Sequence, residues 1–144
     1  MKKEHFTKLE NMFLAAPINK LMGPTIQIME GKCEINMDVD PKFFHAANAL
    51  HGSVYFKLLD DAAFFAANSI VEDVFVVTGS FEIKFLRPIL GGKLLAVGEM
   101  TKNLGNKLEA RANLFDEDGN LMGSGSGVFV KTKIELTSIE SYKN

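Results

Sequence analysis

The sequence predicts an α+β fold: a six-stranded antiparallel sheet wrapped round one long central helix, plus a short N-terminal helix. Three observations carry this. Residues 51–69 form a helix-length run that is apolar over most of its circumference. Two strand-like runs precede it and four follow it. The last four are separated by short segments rich in Gly, Asn, Asp or Pro. A helix that is apolar nearly all round has to be covered by other structure, and the strands are there to cover it.

Phe6, Leu9 and Phe13 recur at helical spacing among Lys8, Glu10 and Asn11, which predicts a short amphipathic helix over 4–15, ending before Pro17. Strands are expected over Thr25 to Glu30 and Lys32 to Val39, with Gly31 at the turn. In the second, Cys33, Ile35, Met37 and Val39 alternate with polar residues, the period of a half-buried strand. Asp40 to Leu50 reads as a loop, and the central helix runs from about Ser53 to Ser69. Strands then follow at Val74 to Phe85, Lys93 to Lys102, Lys107 to Phe115 and Leu121 to Lys131, and connections this short predict a meander of neighbouring strands. In the last strand Gly123, Gly125 and Gly127 leave one face bare, which suits close approach by another element, here the central helix.

The 144 residues are 47% apolar with a formal net charge of −2. One domain is expected over 1–144, with a core at 24–131 and a polar tail at 134–144, large enough to need no disulfide. Lys and Arg are scattered, so there is no footprint for nucleic acid. His5, His45 and His51 come with no metal-binding spacing, and no metal is expected. Cys33, the only cysteine, reads as a buried, inert thiol in a reducing compartment. Glu4, Lys8 and Glu10 interrupt any signal-peptide core, and no run reaches membrane-spanning length, so a cytoplasmic protein with no membrane partner is expected.

Two acids interrupt the central helix. Asp61 has Lys57 at i−4 and Asn68 at i+7, a polar track on which a solvated ion pair accounts for it. Asp60 has Phe56, Ala63, Phe64 and Ala67 around it, with Lys57 at i−3 its one local partner. An acid in that setting either belongs to a structural network or is employed in chemistry.

His51-Gly52-Ser53, Leu58-Leu59-Asp60, Ala66-Ala67-Asn68-Ser69 and Phe85-Leu86-Arg87-Pro88 together resemble the phenylacetic-acid-type (PaaI-like) acyl-CoA thioesterases, which have the hot-dog fold. The resemblance covers about Pro41 to Lys131. In that family a His-Gly-Gly opens the helix, an Asp follows nine residues after the His, and a Leu-Arg-Pro or similar closes the next strand. The resemblance implies hydrolysis of an acyl-CoA to free acid and CoA, with no cofactor beyond the coenzyme A of the substrate. It places the carboxylate, base or nucleophile, on Asp60, the oxyanion-binding amide on Gly52, and a strand hydroxyl on Thr78. Two departures stand out: His45 occupies a position where many relatives carry Asn, with Asn48 nearby, and Ser53 replaces a Gly.

The residues fit that chemistry. A helix start offers unpaired N–H groups and the positive end of the dipole to a carbonyl oxygen, and Gly52 lets the substrate approach. A desolvated carboxylate has its pKa raised towards the working pH of a base. Gly52 and Asp60 are eight residues apart, about 12 Å along a helix, so one thioester carbon cannot meet both within one chain. Two antiparallel helices across a two-fold axis would bring them together, which predicts a homodimer with shared sites and leaves a further dimer of dimers open.

Further substrate contacts are expected from His45, Asn48, His51, Ser53, Thr78 and Arg87, while Asn68 and Ser69 finish the helix. Arg87, Lys84, Lys102 and Lys107 are the candidate cations for CoA phosphates. Phe43, Phe44, Tyr55, Phe56, Phe64 and Phe65 either line an acyl pocket or fill the core. Two other readings stay open: a hot-dog hydratase or dehydratase acting through His45 or His51, and a non-catalytic acyl-CoA-binding protein.

Overall fold

The computed structural model describes residues 2–144. Helix α1 (Lys2–Ala15) is followed at once by a second short helix, α2 (Pro17–Met22). Pro17 ends the first and starts the second, since a proline at the first helical position gives up an N–H that has no partner there. Gly23, at φ 73°, closes α2. Helix α2 is absent from the sequence-based expectation because Pro17 reads equally as a stop and as a start.

Strands β1 (Thr25–Met29) and β2 (Lys32–Asp38) form a hairpin, a single 3₁₀ turn spans Pro41–Phe43, and the central helix α3 covers Gly52–Asn68. Strands β3 (Val74–Phe85), β4 (Lys93–Asn103), β5 (Lys107–Asp116) and β6 (Leu121–Glu135) complete the sheet. All pairings are antiparallel, in the order β1-β2-β4-β5-β6-β3, and α3 touches every strand. This is the hot-dog architecture. Strand β6 runs four residues past the expected Lys131, and Leu136–Ser138 forms a final 3₁₀ turn.

The expected meander is only partly right. Strands β4, β5 and β6 are consecutive neighbours, but β3 lies at the far edge beside β6, with β5 and β6 between it and β4. The short Leu86–Gly92 connection crosses the end of the sheet, held by Leu86 and Arg87 N–H groups on the Met122 carbonyl and by Leu50 N–H on the Ile89 carbonyl. Strand β3 therefore has one unpaired edge.

Strand β3 carries a bulge at Gly79, between the pairs Thr78↔Phe129 and Ser80↔Val128. A one-residue slip moves every side chain to the other face of a sheet. Here the bulge lets Val76 and Thr78 point inward before it and Phe81, Ile83 and Phe85 share the inner face after it.

The buried residues of α3 include Val54, Tyr55, Leu58, Leu59, Ala62, Ala63 and Phe65 to Asn68. The remaining positions, Gly52, Ser53, Phe56, Lys57, Asp60, Asp61 and Phe64, form one continuous strip along the helix that the sheet leaves uncovered. Helix and sheet come close at Gly98 of β4, where a Cβ would overlap the Ala62 carbonyl. The glycines of β6 are filled differently from the expectation. At Gly123 a Cβ would touch Tyr55 and Leu59 of α3 at 3.4 and 3.6 Å, but Gly125 and Gly127 are covered by the ring of Phe81 from the adjoining strand.

Asn68 and Ser69 end α3. Asn68 is fully buried, donating to the carbonyls of Val71 and Val74 and accepting from Val76 N–H, while Ser69 Oγ accepts from Gly31 N–H at 2.7 Å. On the same helix end, buried His5 donates from Nε2 to the Asn68 carbonyl at 2.9 Å and meets Tyr142 Oη at 2.6 Å through Nδ1, tying both chain ends to the core. Cys33 is fully buried, and burial pushes its thiol up.

Candidate active site

Asp60 lies midway along the uncovered strip of α3. Thr78 Oγ1 donates to its Oδ1 at 2.8 Å. Burial pushes the Asp60 carboxyl above its ordinary range and Asp61 adds to this, while the Thr78 hydrogen bond and Lys57 pull it back. Asp61 pairs with Lys57, as the spacing predicts. The pair is not solvated, however: the side chains are only 12% (Lys57) and 22% (Asp61) exposed. Phe13 of α1 covers it, with Lys57 Nζ 5.2 Å from the ring centroid. Burial raises the Asp61 carboxyl, opposed by Lys57.

Both acids open onto a chamber of about 490 Å³ between α3, β3 and the α1–α2 hairpin, with Thr78 and Phe75 on the strand side and Phe13 and Ile18 on the hairpin side. Phe64 and Phe65 line it, whereas Phe43 and Phe44 line a separate surface hollow, Tyr55 packs beneath the helix start and Phe56 points outward. Met12, Phe13, Ile18 and Phe75, with Ile139 and Ser141 near the C-terminus, are among the chamber residues that sequence reasoning did not place there. Phe13 belongs to an amphipathic stripe, and nothing in such a stripe says which cavity it closes.

Gly52 lies in a second cavity, of about 290 Å³, with His45, Tyr55, Phe85, Arg87 and Pro88. It is the first residue of α3, so its N–H has no partner within the helix. A Cβ here would come within 3.1 Å of the Phe85 ring, so packing alone already favours glycine. Tyr55 Oη donates to the Arg87 carbonyl at 2.6 Å and fixes the Leu86-Arg87-Pro88 segment beside the helix start. Within one chain, then, the acid and the helix-start amide belong to different cavities.

The family model of the thioesterase superfamily matches residues 47–122, just over half of the chain. The chain belongs to the thioesterase superfamily. Among solved structures, the E. coli PaaI protein from the phenylacetic acid degradation operon is 20% identical with a TM-score of 0.85, the alignment covering 93% of this chain and 97% of that one. A thioesterase family protein of Silicibacter pomeroyi is 24% identical with a TM-score of 0.81, covering 87% and 96%. A thioesterase of Haemophilus influenzae is 21% identical with a TM-score of 0.75, covering 85% and 87%. At these identities the likeness is one of fold. A search of curated proteins found no match.

Within this thioesterase-superfamily chain the predicted site residues fall into groups. Asp60 and Thr78 come together, and so do Gly52, His45 and Arg87. His51 is the helix cap: its Nδ1 accepts from Ser53 N–H at 3.0 Å and lies 2.8 Å from Ser53 Oγ. His51 and Ser53 face the hollow lined by Phe43 and Phe44, away from Gly52. Asn48 is an exposed turn residue at φ 63°, its N–H on the His45 carbonyl. Lys84 lies on the outer face of the sheet with Arg111 and Ser124, apart from the cavities that hold Gly52 and Asp60. Among the described residues no group of three or more His, Cys, Asp or Glu is placed to hold a metal ion, and no helix is long and apolar enough to cross a membrane.

Proposed function

We propose that this protein hydrolyses acyl-CoA thioesters, with Asp60 as the general base. The observation that carries the reading is the Asp60–Thr78 pair lining a largely apolar chamber. The Thr78 hydroxyl occupies Oδ1 and leaves Oδ2 to take a proton from water. Burial raises the basicity of that carboxylate, which brings it closer to the working pH.

In the reaction, the water oxygen bonds to the thioester carbonyl carbon as its proton passes to Asp60. The carbonyl oxygen becomes an oxyanion, stabilised by the Gly52 N–H and the positive end of α3. The intermediate collapses by breaking the C–S bond, coenzyme A leaves as thiolate, and Asp60 returns its proton to solvent or sulfur.

The acid and the amide that the reaction needs are in different cavities of one chain. The proposed active form is therefore a two-fold dimer, with Asp60 of one protomer facing Gly52, His45 and Arg87 of its partner. The surface supports such pairing. The open strip of α3 exposes Phe56 (38%), and β3 offers a free twelve-residue edge carrying Phe85 (56%). Unpaired edges and exposed aromatic rings are features a lone protomer would avoid. Arg87, in the Gly52 cavity, is the cation placed to meet a CoA phosphate.

The test is thiol release from butanoyl-, octanoyl-, palmitoyl- and phenylacetyl-CoA, run beside loss of the double bond from an enoyl-CoA. Hydrolysis frees thiol. Hydration without thiol release would support the hydratase reading instead, and binding without either reaction would make the protein a carrier or sensor.

A further inference from the structure

We infer that the α1–α2 hairpin sets the size of the acyl group, with Phe13 as the end wall of the chamber that begins at Asp60; the inference rests on the thioesterase reading above. Two adjacent rows of α3 form the chamber floor. Asp60 and Phe64 face β3, where they meet Thr78 and Phe75. Lys57, Asp61 and Phe65 face α1, where Lys57 and Phe65 meet Phe13. An acyl chain whose carbonyl lies at Asp60, growing away from β3, crosses this floor and meets Phe13.

Phe13 is built to be a fixed wall. Its side chain is 2% exposed, Phe65 packs edge-on against it at 5.4 Å, and Lys57 stands over the ring. Its carbonyl accepts from the buried Asn19 Nδ2 at 2.7 Å, which locks the break between α1 and α2 around it. Ile18 of α2 forms the rim and is 51% exposed. The chamber volume of about 490 Å³ lies in the lower half of the range for small-molecule sites, roughly 300–1,000 Å³. The hairpin lies outside residues 47–122, so this wall is not part of the segment shared with the family model.

Two variants test the wall from opposite sides, read as ratios of kcat/KM. Phe13→Ala should raise the palmitoyl-to-octanoyl ratio about tenfold or more, the low end of what one methylene discriminates in an apolar pocket. Ile18→Trp, at the exposed rim, should lower the octanoyl-to-butanoyl ratio by a similar factor. If Phe13→Ala fails to fold, Ile18→Trp decides the matter alone. Folded variants that keep the wild-type ratios, or that slow every substrate by one common factor, would overturn the assignment. So would a shift in oligomeric state with an unchanged chain-length profile, which would mean that a second copy fills the chamber. Wild-type protein that frees thiol from none of the acyl-CoAs would instead bring down the thioesterase reading.

Discussion

Thr78 and Asp60, eighteen residues apart in sequence, meet at 2.8 Å across the gap between β3 and α3, one residue before the bulge that turns the strand's phase. The bond holds one carboxylate oxygen and opposes the rise that burial imposes on the acid. Thr78→Val keeps the side-chain shape and removes the donor. The acid limb of the pH profile of kcat/KM should move to higher pH, because the lost bond favours the ionised form. The rate at neutral pH should fall roughly tenfold, the equivalent of a lost hydrogen bond to a charged group at about 1.5 kcal/mol. An unmoved acid limb would show that Thr78 does not tune the acid.

Asp60→Asn is expected to lose about 10²- to 10⁴-fold in kcat, the usual contribution of a general base, while gaining stability. Burial raises the folded-state pKa above the unfolded one, so the folded protein binds its proton more tightly and the ionised carboxylate opposes folding at neutral pH. The amide should therefore raise Tm at pH 7. The difference should shrink as pH falls through the folded value and vanish well below about 4, where aspartate is neutral in both states. A variant with lowered Tm at neutral pH would contradict the burial argument.

Asp61→Asn should keep hydrolysis, because the Asp61 carboxylate serves the largely buried Lys57 ammonium and not the reacting atoms. The thiol assay on the two folded variants separates the two acids. An inactive Asp61→Asn with full Asp60→Asn activity would reverse their assigned roles.

Gly52→Pro and Asp60→Asn test the shared site. Proline suits the first helical position and removes the N–H in question. His51 before it is already extended, at φ −63° and ψ 140°, and the exposed Phe85 ring can give way. Each homodimer should be inactive. A purified mixed dimer has one doubly defective site and one intact site, and should recover about half of wild-type activity. Folded mixed dimers that stay inactive would rule out a site shared by Gly52 and Asp60.

Gly98→Ala should be among the most destabilising single methyl additions in the sheet, about 3 kcal/mol. The added carbon would overlap the Ala62 carbonyl, a backbone atom that moves only if helix and sheet separate. Gly52→Ala meets a mobile ring instead and should cost far less. Comparable denaturation midpoints for the two variants would refute the close helix–sheet approach.

The sequence by itself determined what local periodicity can encode. The all-round apolar run after His51 is α3, the alternating runs are the strands, and the neighbours of Asp60 on the helix separated it from the Lys57–Asp61 pair. The eight-residue spacing of Gly52 and Asp60 already implied that one chain cannot bring them together, and their separate cavities agree.

Tertiary structure alone decided where strands and faces meet. Nothing near β3 in sequence says that it skips β4 and pairs with β6, because strand pairing is selected by contacts between distant segments. The bulge at Gly79 aims Thr78 at Asp60 only because β6 sets the register against which one extra residue counts. Lys57 and Asp61 look like a solvated pair until α1 folds over them, and nothing near His5 in sequence says that its two nitrogens meet Asn68 and Tyr142. A residue's periodic position shows which side of its own element it occupies. What lies on that side depends on where the rest of the chain comes to rest.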